Sequence, residues 1–189
     1  MSALPAAPAA TPHASDIRVI PVWRQVTPAL AEELTRFWLQ YQAVADAGKA
    51  AERARQVVLI ARDGDGALCG VATAVVRVLP RLRQPLYYYR QFFAPHLRGR
   101  YQVLTFFRRA RQVLQAYNAA LPQPESLGLL LEIENPKLAE QFCRAVMPQT
   151  HAVFIGYSPA GLQLRASYFD DAVLLPPAPM PAAAASAPA

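Results

Sequence analysis

The sequence predicts a mixed α/β domain with a mostly antiparallel central sheet flanked by helices. Three observations predict it. Strand-like and helix-like apolar periodicities alternate along residues 17–171. Two β-patterned runs meet at Asp63-Gly64-Asp65-Gly66, a tight-hairpin signature. An apolar run, Leu127 to Ile133, passes through Glu134 into Asn135-Pro136, which reads as a helix start.

Taken in order, Ile17 to Trp23 alternates and ends near Pro21, as an edge strand does. Thr27-Pro28 combines an N-cap hydroxyl with proline at the first helical position. Leu30, Leu34, Phe37, Trp38, Tyr41 and Val44 then recur at helical spacing. A short helix is expected around Ala50 to Ala54. Gln56 to Arg62 is an apolar strand, and Ala67 to Leu79 returns from the hairpin rich in β-branched residues. Pro80 and Pro85 bracket a basic loop, and Leu86 to Ala94 is a third, aromatic strand of the meander. Tyr101 to Tyr117 is a helix with Val103, Phe106, Phe107, Ala110, Val113, Leu114 and Tyr117 inward. Leu127 to Ile133 has the continuous apolar character of an interior strand. The helix after Asn135 is expected to run to Val146, lined by Leu138, Ala139, Phe142, Cys143 and Val146. Ala152 to Tyr157 and Leu162 to Phe169 form a closing hairpin.

Both ends are Ala/Pro-rich. Residues 1–16 and 173–189 are expected to lie outside the fold as disordered tails, with one domain over 17–172. No secretory pattern stands at the start and no apolar run is long enough to span a bilayer, so the expectation is a cytoplasmic protein. The two cysteines, Cys69 and Cys143, form no metal-type spacing and read as buried reduced thiols; no metal is expected.

Charge is the strongest functional signal. The chain carries a formal net charge of +6. Nine arginines lie between Arg77 and Arg111, and no acid occurs from Gly66 to Pro124. A solvated basic face is the ordinary meaning of such a run. Here it falls on Tyr87-Tyr88-Tyr89-Arg90-Gln91-Phe92-Phe93-Ala94-Pro95-His96-Leu97-Arg98-Gly99-Arg100-Tyr101-Gln102-Val103, a strand, a tight basic turn and a helix start. Free backbone N–H groups and the helix dipole favour an anion at such a junction, and Arg98 and Arg100 add full charges.

The element order β-α-β-β-β-α-β-α-β-β, together with Arg98-Gly99-Arg100-Tyr101-Gln102-Val103, resembles the GNAT superfamily of acyl-CoA N-acyltransferases. The resemblance implies a coenzyme A thioester as co-substrate, its pyrophosphate held at Arg98, Gly99, Arg100, Tyr101, Gln102 and Val103. It implies an acyl carbonyl polarised by backbone amides near Phe92, Phe93 and Ala94, and a contact at Asn135. Tyr101 and Val103 stand where the family has glycine, and Phe142 where many members have a proton-donating tyrosine. Phe142 has no proton to give. A base is implied for the amine. Glu132 and Glu134 share one face of their strand and, apart from Glu125, are the only acids between Asp65 and Glu140. For each taken singly, an ion pair or a surface cap outweighs the catalytic role.

The reading favours an N-acyltransferase acting on an amine, in a small molecule or a protein. A catalytically silent GNAT-like binding protein stays open, as does an acyltransferase fed by an acidic acyl carrier protein docked on the arginines. A nucleic-acid binder would use basic charge interleaved with aromatics. Against it, the arginines flank a helix whose apolar face is already committed to the core.

Overall fold

The computed structural model describes residues 17–97 and 102–179. The elements are β1 (Arg18–Pro21), α1 (Pro28–Gln40), α2 (Ala47–Ala54), β2 (Val57–Arg62), β3 (Leu68–Leu79), β4 (Gln84–Phe93), α3 (Gln102–Ala119), β5 (Gly128–Ile133), α4 (Pro136–Gln141), β6 (Val146–Met147), β7 (Ala152–Tyr157) and β8 (Gln163–Tyr168). The strands form one eight-stranded sheet in the order β1-β2-β3-β4-β5-β8-β7-β6. Neighbours pair antiparallel except β4 and β5, which run parallel.

Local chemistry sets most boundaries. The Thr27 hydroxyl accepts the Leu30 N–H, and Pro28 opens α1. The Asp46 carboxylate accepts the Lys49 N–H and starts α2. Asp63 accepts from Asp65 and Ala67, which closes the β2–β3 hairpin around Gly66 at φ +82°. Asn135 caps α4 by accepting from Lys137.

Two layers of side chains sandwich the sheet. Phe106, Phe107, Ala110 and Leu114 of α3 pack on Tyr87, Tyr89 and Phe93 of β4 and on Leu129 of β5. On the opposite face Leu34, Phe37 and Trp38 of α1, with Ala50 and Ala54 of α2, cover Val57, Ile60 and Val71. A smaller group on that face joins Leu86 and Tyr88 to Leu130, Leu164 and Ala166. The alternating pleat divides β4 and β5 between these layers.

The position of the site follows from how β4 meets β5. Their pairing covers Tyr87↔Leu129, Tyr88↔Leu130 and Tyr89↔Leu131 and then stops. β4 continues along β3 to Phe93↔Gly70, while β5 continues along β8 to Ile133↔Gln163. The two strands therefore splay beyond Tyr89 and Leu131.

Three expectations need correction. The helix after Asn135 has six residues and stops before Val146. Arg165 of β8 is buried and donates to the carbonyl oxygens of Phe142 and Arg144, so this segment binds a neighbouring strand instead of continuing the helix. Val146 becomes part of β6. Cys143 is exposed; only Cys69 is buried, its thiol donating to Ala61 O at 3.3 Å. Residues 173–179, expected beyond the fold, dock on the β3–β4 turn. Gln84 exchanges two hydrogen bonds with the Leu175 backbone, and the Arg83 side chain donates to Ala178 O at 2.6 Å. Among the described residues no helix is long and apolar enough to cross a membrane.

Candidate active site

The mouth of the splay is lined by the last residues of β4. The Ala94 N–H donates to Cys69 O of β3, and the Tyr87 N–H points the other way, to Ser126 Oγ at 3.1 Å. Backbone direction alternates along an antiparallel strand. The N–H groups of Gln91 and Phe93 therefore face the β5 side, and both lie beyond the last β4–β5 pair. This refines the expected amide donors. Ala94 is committed to β3 and fully buried, and its carbonyl accepts the Leu97 N–H. The Phe92 ring packs against Phe37 and Tyr41 at 5.7 and 6.1 Å between centroids. The Phe93 ring stacks at 4.9 Å on Phe106 across the other face. Arg98, Gly99, Arg100 and Tyr101 lie outside the described residues, which end at buried Leu97 and resume at Gln102, the first residue of α3. Val103 is half-buried against the α3 layer. The Asn135 side chain is engaged in its cap.

A polar cluster stands beside the splay, on the face covered by α1 and α2. Tyr88 is 4% exposed, and its hydroxyl donates to Glu132 Oε2 at 2.5 Å. The same hydroxyl accepts from Arg90 Nη2 at 2.8 Å. The Arg90 guanidinium lies 4.7 Å from the Tyr88 ring centre, and Arg77 of β3 lies 4.2 Å from it. Arg90 also reaches Glu134 at 3.7 Å. Strand parity accounts for the grouping. Tyr88 and Arg90 are two apart on β4, and Glu132 and Glu134 are two apart on β5 and just after it. Tyr88 pairs with Leu130, so Glu132 comes next on the same face.

This cluster brings both predicted carboxylates near one hydroxyl and distinguishes them. The Tyr88 hydrogen bond holds the Glu132 carboxyl below its ordinary range, against the opposing pull of burial. Ser158 and the charges of Arg90 and Arg77 act in the same direction as Tyr88. Burial raises the Tyr88 hydroxyl, and its bond to Glu132 raises it further. At neutral pH the pair is thus a neutral phenol donating to a carboxylate. Glu134 is largely exposed, its side chain 65% accessible. Tyr88 is the residue that the expected site lacked. Only its place among the consecutive strand tyrosines 87–89 marked it in the sequence; its pairing with Glu132 follows from the β4–β5 register.

Phe142 closes α4, half-buried, and its carbonyl rather than its ring makes the polar contact, with Arg165. The basic face of α3 is partly spent on internal links. Arg108 donates to Gln149 O, and Arg111 donates to Tyr168 O and Asp170.

No family profile matches the chain, and no curated protein matches it in sequence. Solved structures do match its shape. The chain is similar to an acetyltransferase of the GNAT family from Streptococcus pneumoniae, with a TM-score of 0.55 and 13% identity over 82% of this chain and 100% of that one. The fold is that of the GNAT acyltransferases. It is also similar to a mutant AtaT toxin bound to the C-terminus of the antitoxin AtaR and acetyl-CoA, with a TM-score of 0.50 and 13% identity over 80% of this chain and 94% of that one. A third match is a bacterial toxin, with a TM-score of 0.50 and 15% identity over 80% and 90% of the two chains.

Proposed function

We propose that this chain transfers an acyl group from a coenzyme A thioester to an amine. The observation that carries the reading is the juxtaposition of the β4–β5 splay with the Tyr88–Glu132 pair. The splay turns the Gln91 amide toward whatever enters it. A proton acceptor stands beside it.

In this reading the thioester lies in the splay, and the Gln91 N–H donates to its carbonyl oxygen as negative charge develops there. The pyrophosphate is held at Arg98 to Val103, at the start of α3. The amine approaches from the α1–α2 face. Its proton passes to Tyr88 Oη as the phenol's own proton passes to Glu132. The nitrogen lone pair forms the N–C bond, the tetrahedral centre gives the second nitrogen proton to water as it collapses, and the C–S bond breaks. Glu132 returns its proton to solvent. The departing thiolate takes a proton from water, because Phe142 has none to offer. Glu132 is ionised at neutral pH and so is ready to accept, and the protonated Tyr88 keeps the relay in one direction. Glu134 positions Arg90.

The test is ligand-induced stabilisation followed by turnover. A ligand that binds only the native state raises the melting temperature by mass action. Acetyl-, medium- and long-chain acyl-CoA are expected to raise it, and Arg98→Glu to abolish the shift while leaving the unliganded melting temperature unchanged. Thiol release then requires an added amine. Stabilisation by acyl-CoA without thiol release from any amine would favour a silent binding protein. No stabilisation by any acyl-CoA would remove the coenzyme A reading altogether.

A further inference from the structure

We infer that the acceptor amine carries a carboxylate close to its nitrogen, and that Arg53, with Arg90 and Arg77, receives it. The inference rests on the proposed amine-acylating role of Tyr88 and Glu132 and adds the class of acceptor.

Two guanidinium groups meet at Tyr88, and a third, that of Arg53, lies near enough to feel the charge of Arg90. Arg90 donates to the Tyr88 hydroxyl, and Arg77 lies over the Tyr88 ring. Arg53 comes from the last turn of α2. It is half-buried, and no hydrogen bond or ion pair engages its guanidinium among the described residues. Burial and then the nearby charge of Arg90 disfavour its charged form, against a smaller opposing pull from Glu134 and Tyr88. Two neighbouring cations that are partly buried cost stability unless an anion comes between them. The carboxylates at hand fill that role only in part. Glu132 is engaged by Tyr88, and Glu134 touches Arg90 from an exposed position at 3.7 Å. Arg90 Nε is also buried with no partner among the described residues. The Arg53 guanidinium, left without a hydrogen bond, is the one suited to bidentate capture of a carboxylate.

The charge count indicates the ligand's valence. Three arginines against Glu132 and Glu134, with Tyr88 neutral, leave one positive charge. That suits a monoanion better than a phosphate dianion. The geometry indicates its size. Arg90 touches the very hydroxyl that accepts the amine's proton. Amine and carboxylate therefore lie within the span of one guanidinium, which fits a free amino acid rather than a remote C-terminus. A polyamine would bring more positive charge to a face that already repels it. Two cavities, of about 280 and 300 Å³, lie away from this face, one between the end of α3 and residues 171–175 and one beside Trp23 and Glu125. They hold no part of the cluster.

The experiment uses the full chain, acetyl-CoA and thiol detection, with matched acceptors. These are free amino acids, their carboxamides, the corresponding decarboxylated amines, phosphoethanolamine and spermidine. Free amino acids are expected to exceed their carboxamides in kcat/KM by about ten- to a hundred-fold, the worth of a charged hydrogen-bonded contact. Arg53→Gln is expected to raise KM for the acid by a similar factor and to lower kcat/KM for the carboxamide much less. Arg53→Lys is expected to restore part of it. Equal use of acid and carboxamide, a preference for spermidine or phosphoethanolamine, or an equal loss on both substrates in Arg53→Gln would each overturn the inference. If no amine is acylated, the acyltransfer reading fails on its own. The carboxylate site is then read from thermal stabilisation by amino acids against carboxamides, in the wild type and in Arg53→Gln. A shift with the acid alone, lost in the variant, supports the site, and no such difference rejects it.

Discussion

Replacing Tyr88 with phenylalanine removes one oxygen and leaves the ring where it is. The ring stays beneath Arg77 and Arg90, at 4.2 and 4.7 Å, so packing is preserved. Two hydrogen bonds disappear, the donation to Glu132 at 2.5 Å and the acceptance from Arg90 at 2.8 Å. A hydrogen bond to a charged group contributes about 1.5–3 kcal/mol. Glu132 is only half-buried, so water replaces part of the loss, and about 1 kcal/mol is expected at neutral pH. For a chain of this size that lowers the melting temperature by roughly 2–4 °C. The pH dependence has a definite sign. The Glu132 carboxyl lies below its ordinary value of 4.5, chiefly through Tyr88. Its stabilisation is therefore full above that value and is lost as pH falls through the folded-state value. The gap between wild type and variant should close in acid. Turnover should fall by about a hundred- to ten-thousand-fold, as loss of general-base catalysis does, and recover in part at high pH where the amine deprotonates unaided. Thermal unfolding against pH and initial rates of thiol release measure the two effects. A variant that melts at the wild-type temperature across the pH range and keeps wild-type turnover would refute the relay.

Phe106→Ala should cost about 3–5 kcal/mol, because the ring is 1% exposed and packs 4.9 Å from Phe93; urea unfolding should show a lower midpoint with an unchanged slope. Gly128→Ala should cost more than about 2 kcal/mol. Its Cβ would lie 2.3 Å from Ser167 O and 2.7 Å from Tyr168 Cα, both backbone, so β5 and β8 would have to part; circular dichroism and unfolding midpoints report it. Glu33→Gln breaks the paired 2.7 Å contacts from α1 to Arg62. Both side chains are partly exposed, so about 1 kcal/mol is expected. The Arg62 hydrogen bond holds Glu33 below its ordinary value of 4.5, so this difference too should be present above that value and vanish in acid. A pH-independent difference would contradict the assignment.

The elements that sequence reading located rest on chemistry within a few residues. Thr27-Pro28, Asn135-Pro136 and Asp63-Gly64 each dictate a local backbone, and each acts where expected. The overlength helix after Asn135 shows the opposite case. What stops it is Arg165, more than twenty residues away on β8, and no local pattern announces that a buried arginine will claim the Phe142 and Arg144 carbonyls. Residues 173–179 are a similar case. Pro/Ala composition argues against a core, yet the Gln84 amide and the Arg83 guanidinium bind the segment's backbone, which composition does not describe. Within the site, strand parity put Glu132 and Glu134 on one face. Their pairing with Tyr88 required the register of two strands more than forty residues apart, and a single sequence does not supply that register.

The sheet has a seam. On one side stand β1 to β4, on the other β5 to β8, and three residue pairs join them edge to edge. Each half is laced internally by antiparallel ladders, up to ten pairs long between β3 and β4. The seam relies on α3 bridging behind it through Tyr87 and Leu129. Those amide protons of Leu129 to Leu131 that face β4 therefore exchange through opening of the join, a smaller event than unfolding either half. A molecule lodged between β4 and β5 would act as a fourth rung. It would slow exchange at those amides first and most, and so reveal its seat before any product is made.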